Sequence, residues 1–196
     1  MKRRVVVTGL GIVSPLGLGL KENETALFEG RSGVDFIKTF TPDENFPVKI
    51  AGEVKGFDPE KYIDHKEIKK MDRFIHYAVA CSQMALEDSG FEINEQNAER
   101  VGVIVGVGLG GLPAIEKYHD ISKARGVKKI TPFFIPMLIA NLASGQVSIT
   151  FGAKGPNSCV VTACATGTHS IGEAARFIQY GDADVMFAGG TESVIT

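Results

Sequence analysis

Ser158-Cys159-Val160-Val161-Thr162-Ala163-Cys164-Ala165-Thr166-Gly167 is the stretch that decides the fold. Val160 to Thr162 is apolar and β-branched, which predicts a buried strand. Small residues then surround one cysteine. A helical pattern follows at once, with Ile171, Ala174, Ala175 and Ile178 at i, i+3, i+4 and i+7. Strand, tight turn and helix put the Cys164 thiol at a helix N-terminus. Free backbone N–H groups and the positive end of the helix dipole favour a thiolate there. A thiolate is a nucleophile, and neighbouring N–H groups can hold an oxyanion. The turn has the logic of a nucleophile elbow. A lone cysteine is also commonly a buried structural residue, and the local pattern leaves both readings open.

Outward from this turn, strand-like and helix-like runs alternate. Val5 to Thr8, Val101 to Val105 and Asp184 to Ala188 read as buried strands. Asn23 to Glu29 reads as a short helix stopped by Gly30. Lys70 to Ser89 reads as a long one, with Phe74, Ala78, Cys81 and Ala85 on one face and Gly90 as its cap. Glu116 to Ala124 and Pro136 to Ile149 complete the helical set, and Gly181 caps the helix after Cys164. Residues 31–60 are irregular, broken by Pro42, Pro47 and Pro59. Strands alternating with helices predict an α/β fold with a largely parallel sheet covered on both faces.

Composition narrows the function. The 196 residues are 44% hydrophobic and carry a net charge of −2, so no overall attraction to nucleic acid or membrane is expected. The basic start, Met1-Lys2-Arg3-Arg4, precedes an apolar run too short for a signal peptide, and no run approaches membrane-spanning length. Cys81, Cys159 and Cys164 form no CxxC pair and no histidine sits at ligand spacing, so no metal site is expected. An odd, low cysteine count fits a reducing cytoplasm.

Two glycine runs compete for attention. Gly9-Leu10-Gly11 lacks the third glycine of a dinucleotide fingerprint. Gly106, Gly108 and Gly111 satisfy it, but Pro113 follows and no acidic residue ends a following strand at the proper distance. Tight turns are the preferred reading, and no cofactor is expected. His169, five residues past Cys164, lies well round a helix from the sulfur. His65, His76 and His119 have no partner motif. No Cys/His catalytic pair is visible. Lys66, Lys69, Lys70 and Arg73 form one basic cluster, and Arg125, Lys128 and Lys129 another. Each is either a solvated face or a dock for an acidic partner.

Taken together, the motifs resemble the N-terminal half of β-ketoacyl-acyl-carrier-protein synthases, type II elongating condensing enzymes. The likeness rests on Arg3-Arg4-Val5-Val6-Val7-Thr8-Gly9-Leu10-Gly11, Lys69-Lys70-Met71-Asp72, Gly108-Leu109-Gly110-Gly111 and Pro132-Phe133-Phe134-Ile135-Pro136. Thr162-Ala163-Cys164-Ala165-Thr166-Gly167, Tyr180-Gly181-Asp182-Ala183-Asp184-Val185-Met186 and Ala188-Gly189-Gly190 complete it. The resemblance implies a thiolase-like fold, the N-terminal half of a layered α-β-α-β-α architecture. It implies that Cys164 takes an acyl group from an acyl carrier protein as a thioester. Malonyl-carrier then loses carbon dioxide, and its carbanion attacks that thioester in a decarboxylative Claisen condensation of fatty acid elongation. The Cys164 N–H would be one oxyanion donor. Leu109, Phe133 and Phe134 match substrate-binding positions, with Phe134 reaching across a homodimer interface. Lys66, Lys69, Lys70, Lys128 and Lys129 fall where the family meets its acidic carrier.

The family's two catalytic histidines, its lysine and its gating loop belong to a C-terminal half that residues 1–196 do not contain. The chain also stops straight after a strand, at Gly189 to Thr196, which reads as a cut through a domain. Condensation by these residues alone is therefore expected to fail. A thiolase-like coenzyme A acyltransferase and a non-catalytic dimerisation or binding half are the alternatives. The Cys164 context and the basic clusters speak against the former, and the missing histidines favour the latter for the isolated chain.

Overall fold

In the computed structural model, which describes residues 3–196, the chain opens with a hairpin of β1 (Val13–Ser14) and β2 (Gly17–Leu18), then helix α1 (Leu20–Phe28). The antiparallel pair β3 (Asp35–Phe36) and β4 (Ile50–Ala51) interrupts an otherwise irregular stretch. Helices α2 (His65–Ile68) and α3 (Arg73–Ser89) follow, then β5 (Val101–Val107), α4 (Leu112–Arg125), α5 (Phe134–Leu138) and α6 (Leu142–Phe151). The last elements are β6 (Asn157–Ser158), α7 (Thr166–Tyr180) and β7 (Val185–Thr191). Met1 and Lys2 of the basic start lie outside the described residues.

Strand β5 is the axis. It pairs in parallel with β7 from Val101↔Val185 to Val107↔Thr191, and with β6 on its other edge. All seven of its residues are buried, as expected where helices cover both faces of a parallel sheet. The strand's period of two sorts its side chains. Val101, Val103, Val105 and Val107 pack with Phe74, Ile75, Ala78 and Val79 of α3 and with Ala143 and Val147 of α6. The opposite face meets α7, because a Cβ on Gly106 would lie 2.2 Å from Thr166 Cγ2 and 2.8 Å from Ser170 Oγ. The result is one α-β-α unit with α3 and α6 on one side and α7 on the other. Each fully buried Val, Ile or Phe contributes roughly 1.5–3 kcal/mol through burial.

Several elements differ from expectation. Val5 to Thr8 forms no strand. Val6 and Val7 are 61% and 75% exposed, and the chain just beyond the run meets α3, with the Leu10 N–H donating to Asp88 Oδ2 (2.9 Å). A strand needs a ladder. Both edges of β5 are already taken, the outer edge of β7 is left open, and the run pairs with nothing among the described residues. Helix α3 starts at Arg73, not Lys70, because Asp72 is extended and its side chain caps the Arg73 N–H. The single helix expected over 136–149 is two. The Leu138 carbonyl turns away to accept from the Gly111 N–H (3.1 Å), and Ile139 is extended between α5 and α6. Strand β7 is half-buried rather than buried, and Ile171 of α7 is exposed.

Val160 to Thr162 is the most consequential difference. Only Asn157 and Ser158 pair with β5, and Val161 is 56% exposed. The Val103 N–H donates to Pro156 O (2.8 Å), and the Val107 N–H to Val160 O (3.3 Å). Between them a parallel ladder calls for Val105 N–H to Ser158 O. The hydroxyl of Ser144, fully buried on α6, stands in the way. It accepts from the Val105 N–H (3.1 Å) and lies 2.7 Å from Ser158 O. One inserted hydroxyl keeps the bonds satisfied but splays the two strands.

The turn from α7 into β7 is tied to the start of β5 by charge. Arg100 grips Asp184 at 3.0 and 3.1 Å and also donates to the carbonyls of Gly181 and Asp182. Arg3 adds an ion pair at 2.5 Å. The Arg100 hydrogen bonds, and then that from Arg3, hold the Asp184 carboxyl at about 2. A depressed carboxylate stabilises above its unfolded value, near pH 4, and loses that contribution as pH falls through the folded one. Asp184→Asn is expected to lower stability near neutrality and to flatten its fall between about pH 4 and pH 2. Urea unfolding across that window checks this; parallel curves for variant and parent refute it.

Candidate active site

Cys164 sits where β6 gives way to α7, in a 3₁₀ turn over Ala163–Ala165. Ala163, just before it, has φ of 50°, the one non-glycine residue with positive φ among the described residues. Such a conformation costs an L-residue about 1–2 kcal/mol, so the surroundings must hold it. Thr166 does so from inside. Its buried Oγ1 accepts the Thr162 N–H (2.9 Å), and its carbonyl accepts from Ser170 Oγ (2.9 Å). The Ala165 N–H closes the turn onto Thr162 O (3.1 Å). No side chain caps α7, and the positive end of its dipole faces the Cys164 turn.

The three thiols are free and differ in environment. Cys164 is exposed, whereas Cys81 and Cys159 are half-buried. Burial pushes the Cys81 thiol up to about 11 and raises that of Cys159. The strained elbow thus presents the only exposed cysteine among the described residues.

None of the four histidines is bonded to that sulfur. His65 pairs with Glu60 and His119 with Asp120. His76 meets Ile68 O (3.1 Å), and burial lowers its basicity. His169 reaches Thr162 Oγ1 (3.3 Å) and lies 4.0 Å from Glu173 Oε1, in agreement with its expected place round the helix.

The turn Gly108-Leu109-Gly110-Gly111, after β5, gathers the remaining motifs. A Cβ on Gly108 would lie 3.6 Å from Ala163 Cα and 2.9 Å from Glu192 Oε2. One on Gly111 would strike Met137 O and Leu138 Cα of α5 at 2.5 and 2.6 Å. Asp72 reaches the same place, its Oδ2 accepting from the Ala114 N–H of α4 (3.0 Å). The cysteine turn, α5 and the start of α3 therefore all lie around one glycine turn, and at Gly111 the approach of α5 leaves no room for a side chain.

Glu192, at the end of β7, was not singled out by sequence. Its carboxylate accepts the N–H groups of Leu109 (2.7 Å) and Gly110 (3.2 Å). An acid two residues after Gly190, just past a strand's C-terminal end, was the available signal. Its carboxylate bears on the dinucleotide reading. Two loop N–H groups face the Glu192 carboxylate, and Asp72 holds the first turn of α4. Phosphates would meet two carboxylates there.

The other expected residues are spread around this centre. Leu109 is exposed, Phe133 is 39% exposed, and Phe134 is half-buried with its ring 5.2 Å from that of Tyr118. Lys66, Lys69, Lys128 and Lys129 are exposed. Lys70 is partly engaged, paired with Glu67 at 2.5 Å and lying over the Phe133 ring. Among the described residues no cluster of His, Cys, Asp and Glu could hold a metal ion.

A parallel α-β-α unit carrying an accessible thiol on a strained strand-to-helix turn is thiolase-like. The chain belongs to the β-ketoacyl synthase family, matching its N-terminal domain over residues 2–196. It is 54% identical over 195 residues to a 3-oxoacyl-[acyl-carrier-protein] synthase 2 of Coxiella burnetii, covering all of this chain and 47% of that protein. It is 50% identical to the protein of that name from Vibrio cholerae, with the same coverage. Among solved structures, the ishigamide ketosynthase/chain length factor aligns with a TM-score of 0.86 at 32% identity, over 97% of this chain and 47% of that one. A type II ketosynthase in complex with its acyl-carrier protein aligns at 0.84 with 27% identity, over 100% of this chain and 53% of that one. The chain spans about half the length of the curated relatives it matches.

Proposed function

We propose that this chain is the acyl-accepting half of a 3-oxoacyl-[acyl-carrier-protein] synthase of fatty acid elongation. The observation that carries the reading is Cys164, accessible on its strained elbow ahead of α7. Its thiolate attacks the carbonyl carbon of an acyl-carrier thioester. The Cys164 N–H steadies the oxyanion, and the carrier thiol leaves as the new thioester forms. Malonyl-carrier then loses carbon dioxide, and the carbanion takes the acyl group and frees the thiolate. That second step needs groups that stabilise the developing enolate. The four histidines here are engaged elsewhere, so a C-terminal half of like fold supplies them and completes the five layers.

Leu109, Phe133 and Phe134 line the acyl path. The acidic carrier docks on Lys66, Lys69, Lys128 and Lys129, with Lys70 beside them; exposure of the first four supports this. Val161 and Ile171, both more than half exposed, suit burial in a homodimer. Free cysteines suit the cytoplasm. No helix of the described residues is long and apolar enough to cross a membrane.

Acyl-carrier protein incubated with the 196-residue chain is expected to transfer its acyl group to Cys164, without carbon dioxide release from malonyl-carrier. Lys66→Glu with Lys69→Glu should slow transfer from the carrier about tenfold at low salt and less at high salt. The uncharged acyl-N-acetylcysteamine donor should be unaffected. Adducts elsewhere than Cys164 refute the reading; equal slowing with both donors refutes the dock.

A further inference from the structure

The Gly108-Leu109-Gly110-Gly111 turn is held from two sides, and only one is explained by packing. On one side stand Ala163 and α5. On the other stands a carboxylate, Glu192, delivered by the register of β7 against β5, in which Val107 lies opposite Thr191. Beyond that pair both strands leave the ladder. The N–H groups of exposed Leu109 and buried Gly110 have no ladder partner there, and Glu192 takes them at 2.7 and 3.2 Å. Gly110 has φ of 101°, so this turn is not one that its own backbone preferences enforce for an ordinary residue. Bonds from N–H to an ionised carboxylate are the stronger kind.

We propose that Glu192 is a positioning residue that sets acyl-chain selectivity by clamping the Leu109 turn beside the Cys164 elbow. The proposal rests on the reading of Cys164 as acyl acceptor. Leu109 is 61% exposed, so its own packing does not fix it. Its place is fixed through its backbone, by Glu192 on one side and by the bond of the Gly111 N–H to the Leu138 carbonyl of α5 (3.1 Å) on the other. Without the carboxylate, the turn samples several positions, and acyl groups of different length meet a less definite wall. Glutamine at 192 keeps an acceptor oxygen but not the charge, so it restores part of the clamp.

Glu192→Ala, Glu192→Gln and Leu109→Ala are compared with the parent by two readouts. Amide hydrogen exchange at Leu109 and Gly110 reports the clamp. Competition among short, medium and long acyl-N-acetylcysteamine thioesters for Cys164 reports selectivity. Glu192→Ala is expected to speed exchange about tenfold or more, equivalent to about 1.4 kcal/mol for the lost bonds. The ratio of best to worst acyl length should fall toward unity in Glu192→Ala and Leu109→Ala alike, with Glu192→Gln between parent and alanine. The double variant should add nothing further. Unchanged exchange overturns the clamp. Faster exchange with an unchanged length ratio overturns the positioning role. A parent that takes no acyl group from any donor overturns the acyl-acceptor reading itself, and the exchange data then stand apart from it.

Discussion

Iodoacetamide at about pH 8 is expected to label Cys164 at least about a hundredfold faster than Cys81 or Cys159, and Cys164→Ala is expected to abolish the acyl adduct altogether. Two effects act in the same direction. Access favours Cys164, the exposed thiol, over two half-buried ones. Ionisation disfavours Cys81, whose thiol burial pushes up to about 11, leaving roughly one molecule in a thousand as thiolate at that pH. Burial disfavours Cys159 in the same sense. Peptide mass mapping after brief labelling gives the three rates. Urea should erase the difference, since the protection of Cys81 and Cys159 belongs to the fold. Labelling at Cys81 or Cys159 ahead of Cys164 in folded protein contradicts the assignment of the nucleophile. A Cys164→Ala variant that still forms the thioester contradicts it independently.

That nucleophile was legible because its signals are local. A strand-like run, small residues and a helical period lie within about twenty positions, and the structure keeps the turn and the helix. Gly90 and Gly181 were legible for the same reason, and both end helices in the left-handed conformation. Non-local pairings were not. Val5 to Thr8 and Val160 to Thr162 have strand composition, but a ladder depends on which edge is open. Composition cannot show that β6 and β7 occupy β5, nor that the Ser144 hydroxyl enters the ladder at Val105. Glu192 was missed on similar grounds. It lies 83 residues from Leu109 in sequence, and only the β5–β7 register brings them together. The family's carrier and pocket residues were carried over by motif. The structure shows most of the lysines open to solvent and Leu109 next to Gly108, which faces the cysteine turn.

Gly106→Ala is expected to destabilise the protein by about 3 kcal/mol and to slow acylation of Cys164 about a hundredfold in the fraction that folds. The added methyl would lie 2.2 Å from Thr166 Cγ2, 2.6 Å from Val160 O and 2.8 Å from Ser170 Oγ. None of these can retreat cheaply. Thr166 holds the Thr162 N–H, Ser170 donates to the Thr166 carbonyl, and Val160 O accepts from the Val107 N–H. Both side chains are buried, with Ser170 at 0% exposure. Relief must come from moving α7 or the segment leading into Cys164. Either movement shifts the thiol relative to its oxyanion donors, and a displacement of about 1 Å at a reacting group costs about a hundredfold in rate. Gly172→Ala is the matched control. Gly172 lies on the same helix with nothing within 4 Å of the added Cβ, so alanine there should stabilise by about 0.5–1 kcal/mol through helix propensity, with acylation unchanged. Urea midpoints and single-turnover acylation of both variants settle the matter. Equal stability of Gly106→Ala and parent would show that the sheet and α7 are not packed as closely as the structure has them. Lost stability with full acylation rate would show that the elbow keeps its shape independently of β5.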